Sequence, residues 1–77
     1  MNKTQQKTLA AALAKCEEIF TDIETLAEEA REAFDNKSER WQESDKGQEV
    51  SEECDRLEAL RDALENAKDE FGNFEFN

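Results

Sequence analysis

The residues that could do chemistry are carboxylates. Between Glu17 and Asp35 the chain places eight acids: Glu17, Glu18, Asp22, Glu24, Glu28, Glu29, Glu32 and Asp35. Arg31 is the only base among them. On a helix that stretch is about 28 Å long, so a carboxylate recurs about every 3.5 Å. A single strand of B-DNA carries one charge per ~3.4 Å. Glu24, Glu28 and Glu32 stand at i, i+4 and i+8, with Asp22, Glu29 and Asp35 beside them. Like charges at that spacing cost a helix ~0.2–0.5 kcal/mol per pair. A row that weakens its own helix is either a solvated face or a surface for a basic partner. The six residues Asp22, Glu24, Glu28, Glu29, Glu32 and Asp35 are the candidate partner-binding set. They have few basic neighbours in sequence.

Other chemistry is thin. There is no His, and no glycine-rich phosphate loop or nucleophile-elbow serine. A general acid needs a desolvated pocket to raise its pKa, and a pair of helices offers none. No catalytic residue, cofactor or metal is expected. The segment 69–75 lacks the alternating oxygen ligands of a calcium loop. Cys16 and Cys54 form no CxxC and, without His, no zinc set. They read as small apolar residues. The second candidate feature is the aromatic tail 72–77. Phe74-Glu75-Phe76 alternates like an extended segment, and Phe74 and Phe76 either fold over the end of the helices or anchor a partner.

Overall balance limits the partners. Ten bases against 21 acids leave a net charge of −11. Residues 1–16 carry Lys3, Lys7 and Lys15 and no acid, so the acid lies in the rest. Such a chain repels phosphates, which argues against direct nucleic-acid binding and against anionic membranes. No apolar run approaches the ~18 residues of a membrane span. The run 9–14 is too short for a signal-peptide core. Leu, Ile, Val and Phe make up about 18% of the chain, close to the ~20% below which charged chains stay unfolded. Periodicity therefore has to decide whether the chain folds.

It does so in favour of helix. Leu9, Leu13, Cys16, Phe20, Ile23, Ala27, Ala30 and Phe34 recur at alternating steps of four and three. A parallel row, Ala12, Ile19, Leu26 and Ala33, runs beside them. The resulting stripe is wider than one partner helix covers. Asn2 and Gln5 make a capping pair, which starts the first helix near residue 3. Asp35-Asn36-Lys37-Ser38 stops it, with Asn36 suited to a left-handed cap and Ser38 to an N-cap. A second helix is expected over 38–71, bent near Gly47, or else broken into a short helix at 38–45 and a separate one. Val50, Leu57, Leu64 and Phe71 carry its repeat, and Gly72 is placed as a C-cap glycine. Glu52–Arg56 and Arg61–Glu65 are complementary pairs along it.

The expected fold is all-α, a single domain over 1–77: an antiparallel helical hairpin with helices about 3–35 and 38–71. A turn centred at 36–37 pairs Leu9 with Leu64, Leu13 with Leu60, Cys16 with Leu57 and Ile23 with Val50. It leaves the two Cys Cα atoms roughly 9–11 Å apart, beyond disulfide reach. A two-helix core supplies only ~3–5 kcal/mol, so a homodimer forming a four-helix bundle is the expected assembly.

The stretch Phe34-Asp35-Asn36-Lys37-Ser38-Glu39-Arg40-Trp41-Gln42-Glu43-Ser44-Asp45-Lys46-Gly47 resembles a segment of small phage proteins. In size and charge the chain also resembles phage-encoded inhibitors, including anti-CRISPR proteins and DNA mimics. That resemblance implies a non-enzymatic inhibitor in the cytoplasm of a bacterial host. Its partner would be a basic protein, such as a nucleic-acid-binding complex. The alternatives are a small dimeric assembly protein and an acidic antitoxin-like partner of a basic toxin.

Overall fold

The computed structural model describes residues 1–74. Three helices follow in order: α1 (Lys3–Asp35), α2 (Glu39–Glu43) and α3 (Asp45–Gly72). The protein is all-α, with no strand among the described residues. The expected alternation of Phe74, Glu75 and Phe76 falls largely outside them.

Local chemistry explains the helix ends. The Asn2 side chain accepts from the Gln5 backbone N–H at 2.8 Å, and the Gln5 side chain accepts from the Asn2 N–H at 3.0 Å. This reciprocal box satisfies two of the donors that a helix start leaves open. At the other end of α1 the expected left-handed cap is not used: Asn36 is right-handed, at φ −80 and ψ −8. The reason is Gln42, whose Nε2 donates to the carbonyls of Phe34 at 3.0 Å and Lys37 at 3.1 Å. A side chain from α2 thus does what a reversed backbone would otherwise do. Gly72 is likewise not a cap but the last residue of α3, followed by right-handed Asn73. No described residue has a positive φ.

Of the two alternatives for the second half, the broken one is found: a short helix, α2, and a separate one, α3, part at Ser44 in place of a bend near Gly47. Ser44 is extended, at φ −70 and ψ 165, and serves both as the end of α2 and the N-cap of α3. Its Oγ donates to Trp41 O and accepts from Gly47 N–H at 3.1 Å. Ser38 caps α2 as expected, accepting from Trp41 N–H at 3.2 Å. Gly47 is buried, and its place explains the break. A β-carbon there would fall inside contact distance of the carbonyl oxygens of Trp41 and Gln42. The missing side chain is a seat for α2, not for α1. Above that seat Phe34 and Trp41 meet edge to face with centroids 6.1 Å apart, and Lys37 lies 5.3 Å from the Trp41 ring centre.

Helices α1 and α3 lie side by side. Arg31 meets Asp55 and Glu58, while Phe20 lies under Lys68, whose Nζ is 4.3 Å from the ring centre. Contact positions on α3 therefore rise as those on α1 fall. The numbers of facing residues add to about 88, twice that of Ser44, where a turn at 36–37 gives about 73. The pairs Leu9–Leu64, Leu13–Leu60, Cys16–Leu57 and Ile23–Val50 are accordingly replaced. The turn takes up α2 as well as the link before it, which slides α3 along α1. The stagger makes the molecule elongated, 58 × 14 × 14 Å, against ~50 Å for α1 alone.

The core is small. Phe20, Ala27 and Cys54 are its buried apolar side chains. Both cysteines are free, Cys54 buried and Cys16 half-buried. In the observed register they are separated by roughly 27 Å along the axis, farther than expected. Ile19, Leu26 and Leu60 remain 50%, 48% and 46% exposed.

The two glycines separate packing from backbone freedom. Gly47→Ala is expected to lower stability by about 1–3 kcal/mol, because a methyl group is forced against backbone. A β-carbon at Gly72 meets nothing within 4 Å. Gly72→Ala is expected to gain up to about 1 kcal/mol, since alanine loses less entropy on entering a helix. Urea unfolding of the two variants checks both signs.

Candidate interaction faces

The register gives the helix pair two unlike long faces. At 100° per residue, Phe20 and Ala27 point from α1 toward α3. Glu24, Glu28 and Arg31 fall to one side of that row, and Ile19 and Leu26 to the other. Asp55 and Glu58 of α3 join the first side, as their contacts with Arg31 show. Leu60 projects on the opposite side of α3.

The polar face is organised by Arg31. Its Nε donates to Glu58 Oε2 at 2.9 Å, and its Nη2 donates to Glu58 Oε1 at 3.1 Å and Asp55 Oδ1 at 2.7 Å. The planar fork of guanidinium matches one carboxylate with two bonds and a second with a third. These bonds hold the Glu58 carboxyl below the usual carboxylate range, with the charge of Arg31 adding to them. They also push the Arg31 guanidinium further up, Glu58 contributing most and Asp55 next. Arg61 is raised chiefly by its bond to Asp62 at 3.0 Å, with weaker help from the charges of Glu58 and Glu24.

The candidate acids do not stand together as a basic-free row. Glu28, Glu32 and Asp35 edge a shallow groove shared with Arg31, Glu58 and Arg61. Glu24 is half-buried within the electrostatic range of Arg61. To Arg31, the one base already among these acids on α1, α3 adds a second arginine, Arg61, at the ladder's edge. Asp22 and Glu29 are exposed on the far side of α1. Among the described residues no ion pair holds Asp22, Glu28, Glu29, Glu32 or Asp35. On α3 the expected partner of Arg61, Glu65, is displaced by Asp62, and Arg56 makes no ion pair among the described residues.

Phe74 is half exposed and edges a shallow apolar groove with Leu9, Ala67, Glu70 and Phe71. Phe76 lies outside the described residues. Asp69, Glu70 and Phe71 are helical, so the 69–75 segment is not a loop over those residues.

One feature was missed in the sequence. Glu53, Arg56, Leu57 and Leu60 line a surface hollow to which α1 contributes nothing. Their spacing, i, i+3, i+4 and i+7, is that of the hole that receives a knob from another helix. Ala67, Glu70, Phe71 and Phe74 repeat that spacing two heptads later. The sevenfold step from Leu60 to Ala67 was the available signal.

Among the described residues no helix is long and apolar enough to cross a membrane, and no group of three or more Cys, Asp or Glu is arranged to hold a metal ion. Comparison with family models, curated proteins and solved structures returns no match.

The Arg31 fork makes stability pH-dependent. Glu58 titrates below its unfolded value near 4.5, so its contribution is complete above that value and is lost as pH falls through the depressed one. Glu58→Gln is expected to lower stability at neutral pH and to flatten the acid limb of the profile. Thermal melts from pH 7 to pH 3 follow both effects.

Proposed function

We propose that the chain is a non-enzymatic acidic interaction protein. It works as an antiparallel helical hairpin that docks carboxylates onto a basic protein surface of the kind that otherwise holds nucleic acid. The observation that carries this reading is the internal placement of the arginines. Arg31 is taken up by Asp55 and Glu58, and Arg61 by Asp62. Glu28, Glu32 and Asp35 keep their charge toward solvent beside them, in a chain of net charge −11. Asp22, Glu24 and Glu29 extend that surface around α1. The same charge repels phosphate, so neither nucleic acid nor an anionic membrane is the direct partner. The reading extends to the phage-inhibitor class that the chain resembles, acting inside a bacterial host.

A second reading is favoured by the exposure of Ile19, Leu26 and Leu60. In it the apolar face does the work, in self-association or assembly, and the charge only solubilises. Phe74 and Phe76 belong to this reading as a candidate anchor.

Changing Glu24, Glu28 and Glu32 together to Gln separates the two. Helicity is expected to hold or rise, because repulsion along α1 is relieved. Capture of a basic partner from host lysate is expected to fall about tenfold or more at low salt, mainly through slower association. Added duplex DNA is expected to displace the partner from the parent protein. If the triple variant binds as the parent does, while truncation after Phe71 abolishes binding, the assembly reading replaces the acidic one.

A further inference from the structure

The unfilled hollows on α3 and the uncovered row on α1 belong to the same chain, and they match. The hollow of Glu53, Arg56, Leu57 and Leu60 lies on α3, and two heptads on lies that of Ala67, Glu70 and Phe71, edged by Phe74 just past the helix end and by Leu9 of α1. Between them the residues 60, 63, 64 and 67 complete a row of three. A helix fills such a row only if it presents a side chain every seven residues. Ile19, Leu26 and Ala33 on α1 do so, and all three are exposed. They cannot reach the hollows of their own α3, because both sets project from the same face of the helix pair.

We propose that this face binds a second copy of the chain, about a two-fold axis running along the molecule. The axis lays α1 of each copy on α3 of the other, in opposite directions. Ala33, Leu26 and Ile19 then enter the three hollows in order. A face of 58 × 14 Å offers up to roughly 800 Å² per copy, the size of a standard stable interface.

Charge selects this arrangement and a second copy as occupant. The outer edge of the face carries Lys15, Asp22 and Glu29 on α1, and Arg56, Ala63 and Glu70 on α3. In the observed register, Glu29 of one copy lies about 4.5 Å along the axis from Arg56 of the other, and Lys15 as far from Glu70, within the span of these long side chains. Asp22 lies beside neutral Ala63. A two-fold axis across the molecule instead stacks α1 on α1, with Asp22 close to its own copy. The arrangement also leaves the Arg31 face of both copies outward, so it holds whether or not that face docks a basic protein.

Sedimentation velocity on the full chain tests it. The parent is expected to sediment as a dimer at tens of micromolar. Leu26→Asp, at a half-exposed position, is expected to stay helical and sediment as a monomer. Arg56→Glu and Glu29→Arg, each made alone, set like charges against each other twice in a homodimer. Each is expected to weaken self-association about tenfold. Mixed in equal amounts, the two variants restore both opposite-charge contacts and are expected to form a heterodimer as tight as the parent dimer. A parent that remains monomeric at 100 micromolar overturns the proposal. So does a mixture of the two charge variants that associates no better than either alone.

Discussion

The seat of α2 on Gly47 is the constraint from which the rest of the arrangement follows. Two backbone carbonyls, from Trp41 and Gln42, rest where a side chain would stand. Ser44 becomes the hinge, extended and bonded to both neighbouring helices. Once α2 is folded into the turn, α3 starts later and slides along α1. That slide decides which residues face each other. It brings Asp55 and Glu58 to Arg31 and Lys68 to Phe20, and it leaves Cys16 far from Cys54.

Sliding α3 also rotates the chemistry onto separate faces. Arg31 lies on the same side of α1 as the Glu24–Glu28 ladder, and α3 supplies carboxylates to it from across the pair. The fork to Glu58 and Asp55 is half-exposed, so its value lies in orientation and in pH dependence more than in raw stability. Opposite it, Ile19, Leu26 and Leu60 stay wet. With three buried apolar side chains among the described residues, the pair has little interior to set against chain entropy. An uncovered apolar face on so thin a molecule is the natural place for further burial. The acidic and apolar readings therefore concern different sides of one object and share only Asp22 and Glu29, which lie at the edge between them.

Local patterns in the chain set the helices and most of their ends. The three–four spacing from Leu9 to Phe34 and the sevenfold repeat from Val50 to Phe71 are local patterns, and helix formation obeys local patterns. The box of Asn2 with Gln5 and the cap of Ser38 were legible because capping is a short-range hydrogen-bond problem. The acids of the candidate set were legible as a list. Everything that depends on register came instead from the packing of α3 against α1. Asn36 did not need a left-handed turn because Gln42, six residues on, reached its helix end. Gly47 read on paper as a bend, and only the return of α2 onto it revealed which backbone approaches it. Arg61, far away in sequence, came within electrostatic range of Glu24 only through that register. The hollows on α3 were invisible because a hole is a property of four side chains left uncovered, and what α1 covers depends on where the turn ends.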